Sequence, residues 1–162
     1  VALHGDLALV GAWQKVIDGN AAHGAAYVFR RSGTTWTEEQ RLTPSDGHEF
    51  TFFGWAVALQ DHLALIGARH DFPGANQQGV VYEFRRNGGL WEEIQRLEAP
   101  VSEGLDGYGE ALALDSRRAL IASRTNDVVF PLGGTVWVHG RPVLFEDGFE
   151  SGDASAWIQV VQ

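Results

Sequence analysis

The feature that most constrains this chain is its self-similarity. Residues 1–12 (VALHGDLALVGA) return as residues 57–68 (VALQDHLALIGA), and a weaker third copy occupies residues 112–123 (LALDSRRALIAS). Gly24–Arg31 (GAAYVFRR) returns as Gly79–Arg86 (GVVYEFRR) and again as Gly134–His139 (GTVWVH), while Trp36–Leu42 (WTEEQRL) returns as Trp91–Leu97 (WEEIQRL). The spacing is 55 residues from Trp36 to Trp91 and from Gly79 to Gly134. A fixed period of this size belongs to a solenoid, a propeller or another array, in which each unit buries its apolar surface against the next.

Each copy holds four short strand-like runs, clearest in the second: Phe53–Leu59, Leu63–Ala68, Val80–Arg86 and Trp91–Leu97. They are rich in β-branched, aromatic and leucine residues and are separated by Gly, Asn and Asp. Four strands per repeat is the blade of a β-propeller. The polarity gradient agrees: Leu63–Ala68 is apolar at every position, as a strand covered on both faces must be, whereas Trp91–Leu97 carries two glutamates, a glutamine and an arginine. Inner strands of a blade are covered by neighbouring blades, and the outermost meets water.

Connection lengths give an asymmetry. Turns between first and second strands are tight (His4–Asp6, Gln60–His62, Asp115–Arg118), as are those between third and fourth (Ser32–Thr35, Asn87–Leu90). Loops between second and third strands (Trp13–His23, Arg69–Gln78, Arg124–Gly133) and those leading to the next repeat (Thr43–Phe52, Glu98–Gly107) are long and differ between copies. Antiparallel alternation sends the two kinds to opposite rims, one short and repeated, the other long and variable.

Composition excludes several function classes. The formal net charge is −9 and Lys15 is the single lysine, so the basic footprint of a nucleic-acid binder is missing. Zero cysteines remove disulfide frameworks, CxxC redox pairs and thiolate metal sites. No run approaches the roughly 18 apolar residues of a membrane helix. The chain starts inside a strand and has no methionine, so the expectation is a piece of a longer reading frame, with any signal peptide lying upstream.

Phe53-Gly54 opening a first strand and Gly67-Ala68-Arg69 closing a second resemble an FG-GAP repeat; the first copy keeps Gly11-Ala12-Trp13, and the third a degraded Tyr108-Gly109 and Ala122-Ser123-Arg124. The resemblance covers roughly residues 1 to 140 and rests on the whole repeated pattern. It implies propeller blades like those of the integrin α-subunit head, and roles in adhesion, ligand binding or scaffolding at the surface of, or outside, the cell. In one respect the chain departs from the family. Calcium-binding members place an Asp/Asn-rich loop between the FG and GAP strands, whereas here that loop is Gln60-Asp61-His62 and its equivalents, too few oxygens for Ca²⁺. No metal and no cofactor are expected. The segment Phe145–Trp157 (FEDGFESGDASAW) breaks the repeat and looks like tails at the ends of some exported bacterial proteins; a similar string also opens certain jelly-roll modules. The plainer alternative is that Pro142–Phe149 is an irregular last strand.

No HExxH, GxSxG, Walker A, Rossmann or kinase signature is present. Glu38-Glu39 and Glu92-Glu93 are strand neighbours that face opposite sides, so neither pair flanks one glycosidic bond. The repeated Arg30-Arg31 and Arg85-Arg86 are expected to form cross-strand ion pairs with the acidic fourth strands. Trp36, Trp91 and Trp137 are expected between blades, while Trp13, Phe72 and Phe130 fall in the variable loops, where they either stack on a ligand or fold back over the rim.

The resulting expectation is an all-β chain of tandem four-stranded antiparallel blades from a larger propeller: blade 1 over residues 1–43 (lacking the start of its first strand), blade 2 over 53–97, a degenerate blade 3 over 107–141, and a C-terminal strand or tail over 142–162. The expected function is non-catalytic binding or adhesion outside the cell through the long-loop rim, to a protein or glycan ligand, with Trp13, Asp18, Asn20, His70, Asp71, Phe72, Asn76 and Asn126 as contact residues. The alternatives are a spacer or capping module, or an accessory domain of a secreted hydrolase. Uncovered blade faces are expected to pair with upstream blades of the same protein or to self-associate.

Overall fold

The computed structural model describes residues 1–69, 78–100, 107–123 and 134–140, together with the backbone of 157–158. Among the described residues twelve strands form three antiparallel sheets, and within each sheet every strand pairs with the next in sequence. Blade 1 contains β1 (Ala2–His4), β2 (Leu7–Ala12), β3 (Ala25–Ser32) and β4 (Thr35–Leu42). Blade 2 contains β5 (Phe53–Gln60), β6 (Leu63–Ala68), β7 (Val80–Asn87) and β8 (Leu90–Leu97). Blade 3 contains β9 (Ala111–Leu114), β10 (Arg118–Ser123), β11 (Thr135–Gly140) and a fourth strand, β12, whose backbone at Trp157–Ile158 pairs with Val138 and His139. Residues 142–149 and 145–156, on which the irregular-strand and tail readings fall, lie outside the described residues. No helix among the described residues is long and apolar enough to cross a membrane.

Side chains alternate across each strand, so every blade has a forward face toward the next blade and a rear face toward the preceding one. Leu7, Leu9, Ala26 and Val28 of blade 1 point forward and share one core with Leu59, Ile66, Tyr82 and Phe84 on the rear of blade 2. Ala58, Leu65 and Val81 on the forward face of blade 2 share a second core with Tyr108, Ile121 and Trp137 of blade 3. Strand β6 sits between both cores and is buried at all six positions, whereas β8 is buried only at Trp91. Each large side chain fully removed from water contributes about 1.5–3 kcal/mol; here that gain comes from contacts between blades.

The junctions are latched by backbone, which explains why small residues recur there. The ladder between β5 and β6 shifts between Phe53 and Val57, and this bulge carries Gly54 onto blade 1. A Cβ on Gly11 would overlap the Gly54 carbonyl, and a Cβ on Gly67 would overlap that of Gly109. Gly24 and Gly79 meet the backbones of Phe53 and Tyr108 in the same way, each at positive φ (+86° and +73°). The Phe53 and Tyr108 amides donate to the carbonyls of His23 (3.2 Å) and Gln78 (2.8 Å), and both aromatic side chains are fully buried. The repeated FG and GAP dipeptides are thus two halves of one contact, made once per junction.

The arginine pairs do not behave as expected from the strand pattern alone. A register shift between Val28 and Phe29 leaves Glu39 unpaired in the ladder between β3 and β4. Its half-buried carboxylate accepts from Arg30 across the sheet and from Arg86 of blade 2 at 2.9 Å. Arg31 bonds Asp6 in the turn before β2 (2.7 Å), and Arg85 approaches Glu83 on its own strand (3.5 Å). Of these four arginines only Arg30 makes the expected cross-strand pair, and at the bulge its partner Glu39 also reaches the next blade. Burial pushes the Glu39 carboxyl up, but the hydrogen bonds and charges of Arg30 and Arg86 hold it below its ordinary value overall. Gln40 adds a second outer clasp, its amide donating to the Trp91 carbonyl and accepting from the Trp91 amide, both at 2.8 Å. Trp91 and Trp137 lie buried between blades as expected, whereas Trp36, on the rear of blade 1, is 42% exposed.

Candidate functional site

The two tight first turns place Gly5-Asp6 and Asp61-His62 on the short-turn rim, where the carboxylate of Asp61 is paired with His4 at 2.9 Å. The two long loops that lie wholly within the described residues, Trp13–His23 and Thr43–Phe52, meet on the opposite rim at the junction of blades 1 and 2. After β2 the chain turns at Asp18-Gly19, both at positive φ (50° and 87°), between Ile17 and Asn20, which exchange backbone hydrogen bonds of 2.8 and 3.3 Å. Two consecutive left-handed residues in Asp-Gly are the chemistry of a type I′ turn. Turn geometry therefore accounts for Asp18 by itself, and Asn20 takes part through its backbone.

This loop pairs with residues 43–52, which lead into blade 2. The amides of Phe50 and Phe52 donate to the carbonyls of Ala21 (2.9 Å) and Ala22 (3.0 Å). Ser45 donates its amide and hydroxyl to the Glu93 carboxylate (both 2.8 Å), and Asp46 accepts from the Tyr82 hydroxyl (2.7 Å). Thr51, fully buried, bonds the backbone of His48 through its hydroxyl. Blade 2 thus holds the loop that precedes it.

Between these loops runs an aromatic strip. Trp13 packs on Trp55 with ring centroids 5.0 Å apart and on Phe52 at 5.6 Å, and Phe50 continues the strip from Phe52 at 6.3 Å. The Arg69 guanidinium lies 4.6 Å from the Trp55 ring centroid, a cation–π distance. Phe50 and Phe52 both sit at positive φ (60° and 54°), a conformation that costs a bulky residue of order 1–3 kcal/mol and persists only where the surroundings enforce it. Phe50 is half exposed, and Trp13 is partly buried. Of the expected contact residues, the structure thus gathers Trp13 into a cluster and assigns Asp18 and Asn20 to the neighbouring turn. His70, Asp71, Phe72, Asn76 and Asn126, like Phe130, lie outside the described residues.

Sequence reasoning placed Phe50, Phe52 and Arg69 in the long rim loops without singling them out as contact residues, and took Trp55 as part of a strand. One signal was available: Trp13 and Arg69 occupy the same position of the repeat, directly after Gly-Ala, so both emerge on the same rim. That Trp55 lies between them follows only from the bulge after Phe53.

At the second junction the Phe53–Phe84 edge contact of the first (6.0 Å) is replaced by Tyr108 and His139, whose hydroxyl and Nε2 lie 2.8 Å apart. Burial pushes the Tyr108 hydroxyl well above its ordinary range and lowers His139 below its own, so His139 is held neutral. Both side chains are buried.

Residues 36–84, from β4 through most of β7, match the family model of the FG-GAP repeat. No curated protein matches the chain.

Proposed function

With an FG-GAP repeat at its centre, we propose that this chain is a non-catalytic binding scaffold that acts outside the cell, engaging a protein or glycan ligand through its long-loop rim. The observation that carries the reading is the strip Trp55–Trp13–Phe52–Phe50 with Arg69 stacked on Trp55. Large rigid side chains concentrate binding energy, and loops carried on a stiff sheet scaffold are where recognition residues collect. Here the loops are also held in strained backbone geometry by hydrogen bonds from blade 2, which keeps the rim ordered before a ligand arrives. His70, Asp71, Phe72 and Asn76 immediately follow Arg69 in sequence and extend the proposed contact surface, with Asn126 in the equivalent loop of the third repeat.

The test is a glycan array and a panel of immobilised surface proteins, followed by tryptophan-fluorescence titration of whatever binds. Binding that perturbs the emission and weakens in Trp13→Ala with Phe72→Ala, while the circular dichroism spectrum is unchanged, supports the reading. If that double variant loses its fold with no separate binding defect, the aromatic strip is packing between blades, and the spacer or capping role stands in its place.

A further inference from the structure

The two internal junctions use the same repeat positions with opposite chemistry. At the first, the side chains enclosed between blades are apolar: Val28 on the forward face of blade 1, and Phe53 and Phe84 of blade 2 in edge contact. Its charges lie at the outer edge, where Glu39 holds Arg86 and Gln40 bonds the Trp91 backbone. At the second, a shift of 55 residues puts Glu83 in the place of Val28, Tyr108 in that of Phe53 and His139 in that of Phe84. Tyr108 is fully buried, His139 is 6% exposed and the Glu83 side chain 12%. The outer edge changes the other way. Ile94, 49% exposed, stands where Glu39 does, and Gln95 bonds Glu83 of its own blade at 2.8 Å where Gln40 reaches across. Titratable side chains have thus moved inward, and β8 does not carry the carboxylate by which β4 holds the next blade.

We propose that the junction of blades 2 and 3 is an acid-sensitive joint: protonation of His139 loosens blade 3 from blade 2 and leaves the junction of blades 1 and 2 closed. In the neutral imidazole Nε2 accepts the Tyr108 hydroxyl proton over 2.8 Å. Protonation removes that acceptor and leaves a cation in a junction whose other enclosed side chains include Leu65, Val81, Ile121 and Trp137, which desolvation penalises. Opening returns the ring to water, so the open form takes up the proton first. Because burial lowers His139 below its ordinary 6.5, opening becomes easier as pH falls through 6.5 and levels off below the lowered value, by up to about tenfold for each pH unit between. The charged groups on the surrounding elements are held elsewhere or lie toward the edges. On the forward side of blade 2, Glu83 accepts from Gln95 and is approached by Arg85 at 3.5 Å, and Glu92 pairs in register with Arg85. Glu98, after β8, pairs with Arg96. In blade 3, Glu110 precedes β9, and Asp115, between β9 and β10, accepts from the amides of Arg117 and Arg118. The first junction has histidines of its own, but protonation spares their contacts. The Nδ1–H of His23 donates to the Gly24 carbonyl, and His4 meets the Asp61 carboxylate, which a proton on His4 reinforces. Glu39, raised by burial but held below 4.5 overall by Arg30 and Arg86, stays ionised above that pH. This inference is independent of the rim and of any ligand bound there.

Amide hydrogen exchange of the full chain, read by NMR at pH 7 and pH 5 and corrected for the exchange of an unstructured chain at each pH, tests it. Both junctions carry their own reporters. The Tyr108 amide bonds the Gln78 carbonyl of blade 2 across the second junction (2.8 Å), and the Phe53 and Trp91 amides bond His23 and Gln40 of blade 1 across the first (3.2 and 2.8 Å). Local opening sets the protection of such amides. Protection of Tyr108 is expected to fall by about tenfold at pH 5 relative to that of Phe53 and Trp91. His139→Gln keeps an acceptor for the Tyr108 hydroxyl and has no proton to gain in this range, so the fall should vanish. If that variant does not fold, Tyr108→Phe with His139→Phe, the residues of the first junction, replaces it with the same expectation. Equal loss at all three amides means the whole fold responds and overturns the proposal, as does no loss at any of them. A selective fall at Tyr108 that persists without His139 overturns it too, since another group then carries the response.

Discussion

Gly11→Ala puts a single methyl at the point where blade 1 meets blade 2. In an ordinary strand this change is favourable by about 0.5–1 kcal/mol, because alanine has less backbone freedom to lose. At Gly11 the new Cβ would overlap the carbonyl oxygen of Gly54 and stand 3.3 Å from the Gly54 Cα. The opposing atoms are backbone, so no rotamer change relieves the overlap; either the bulge after Phe53 flattens or the blades separate. Overpacking of a close-packed core costs typically 1–3 kcal/mol, and a rigid partner places Gly11 at the upper end. Subtracting the strand gain leaves a net loss of about 2 kcal/mol, or about 4–8 °C in melting temperature for a chain of this length. Urea and thermal unfolding followed by circular dichroism would measure it. Ala122→Gly is the matched control: at the same repeat position, where no blade among the described residues meets it, the change in strand propensity costs at most about 1 kcal/mol. A Gly11→Ala variant as stable as the parent, or more stable, would refute the account of the FG and GAP dipeptides as two halves of one contact.

Other outcomes follow from the same geometry. Glu39→Gln removes the carboxylate shared by Arg30 and Arg86 and is expected to cost about 1–3 kcal/mol, the range for losing hydrogen bonds to charged groups, measured by urea unfolding at pH 7. Because Glu39 titrates below its ordinary 4.5 in the fold, its contribution is complete above that value and lost as pH falls through the lowered one, so the variant should show a shallower acid limb. His139 is a base held neutral by burial below its ordinary 6.5; the unfolded chain takes up the proton first, so stability should fall as pH drops below 6.5. Tyr108→Phe with His139→Phe rebuilds the Phe53–Phe84 contact of the first junction, and thermal melts at pH 7 and pH 5 should then differ by less than in the parent. Trp13→Ala should lower stability by about 1–2 kcal/mol through lost aromatic contacts with Trp55 and Phe52, with a clear change in tryptophan emission; unchanged emission would place Trp13 outside the strip.

Much of the fold was legible because a repeat repeats its physics. The period of 55, the apolar run Leu63–Ala68 and the polar run Trp91–Leu97 specify strand number, strand order and which strand is doubly covered, since alternation and burial act on neighbours in sequence. The rim carrying the long loops followed from connection length alone. Of the candidate site, Trp13 was legible as a loop aromatic, and Asp18 as a polar loop residue whose role in a turn the structure supplied.

What only the tertiary structure decided involves residues brought together across blades. The bulge at Glu39 gave a residue that pairs with Arg30 of its own sheet a second link, to Arg86 of the next blade, because one extra residue in a ladder changes the direction a side chain takes. The bulge after Phe53 carried Gly54 onto Gly11 and Trp55 onto Trp13. Leu3 and Leu59, or Leu120 and Leu65, are the same residue in the same pattern, yet the second of each pair is buried and the first exposed, because among the described residues a blade is set against only the second. Local pattern sets which face of a strand is apolar; contact across tens of residues sets what that face touches.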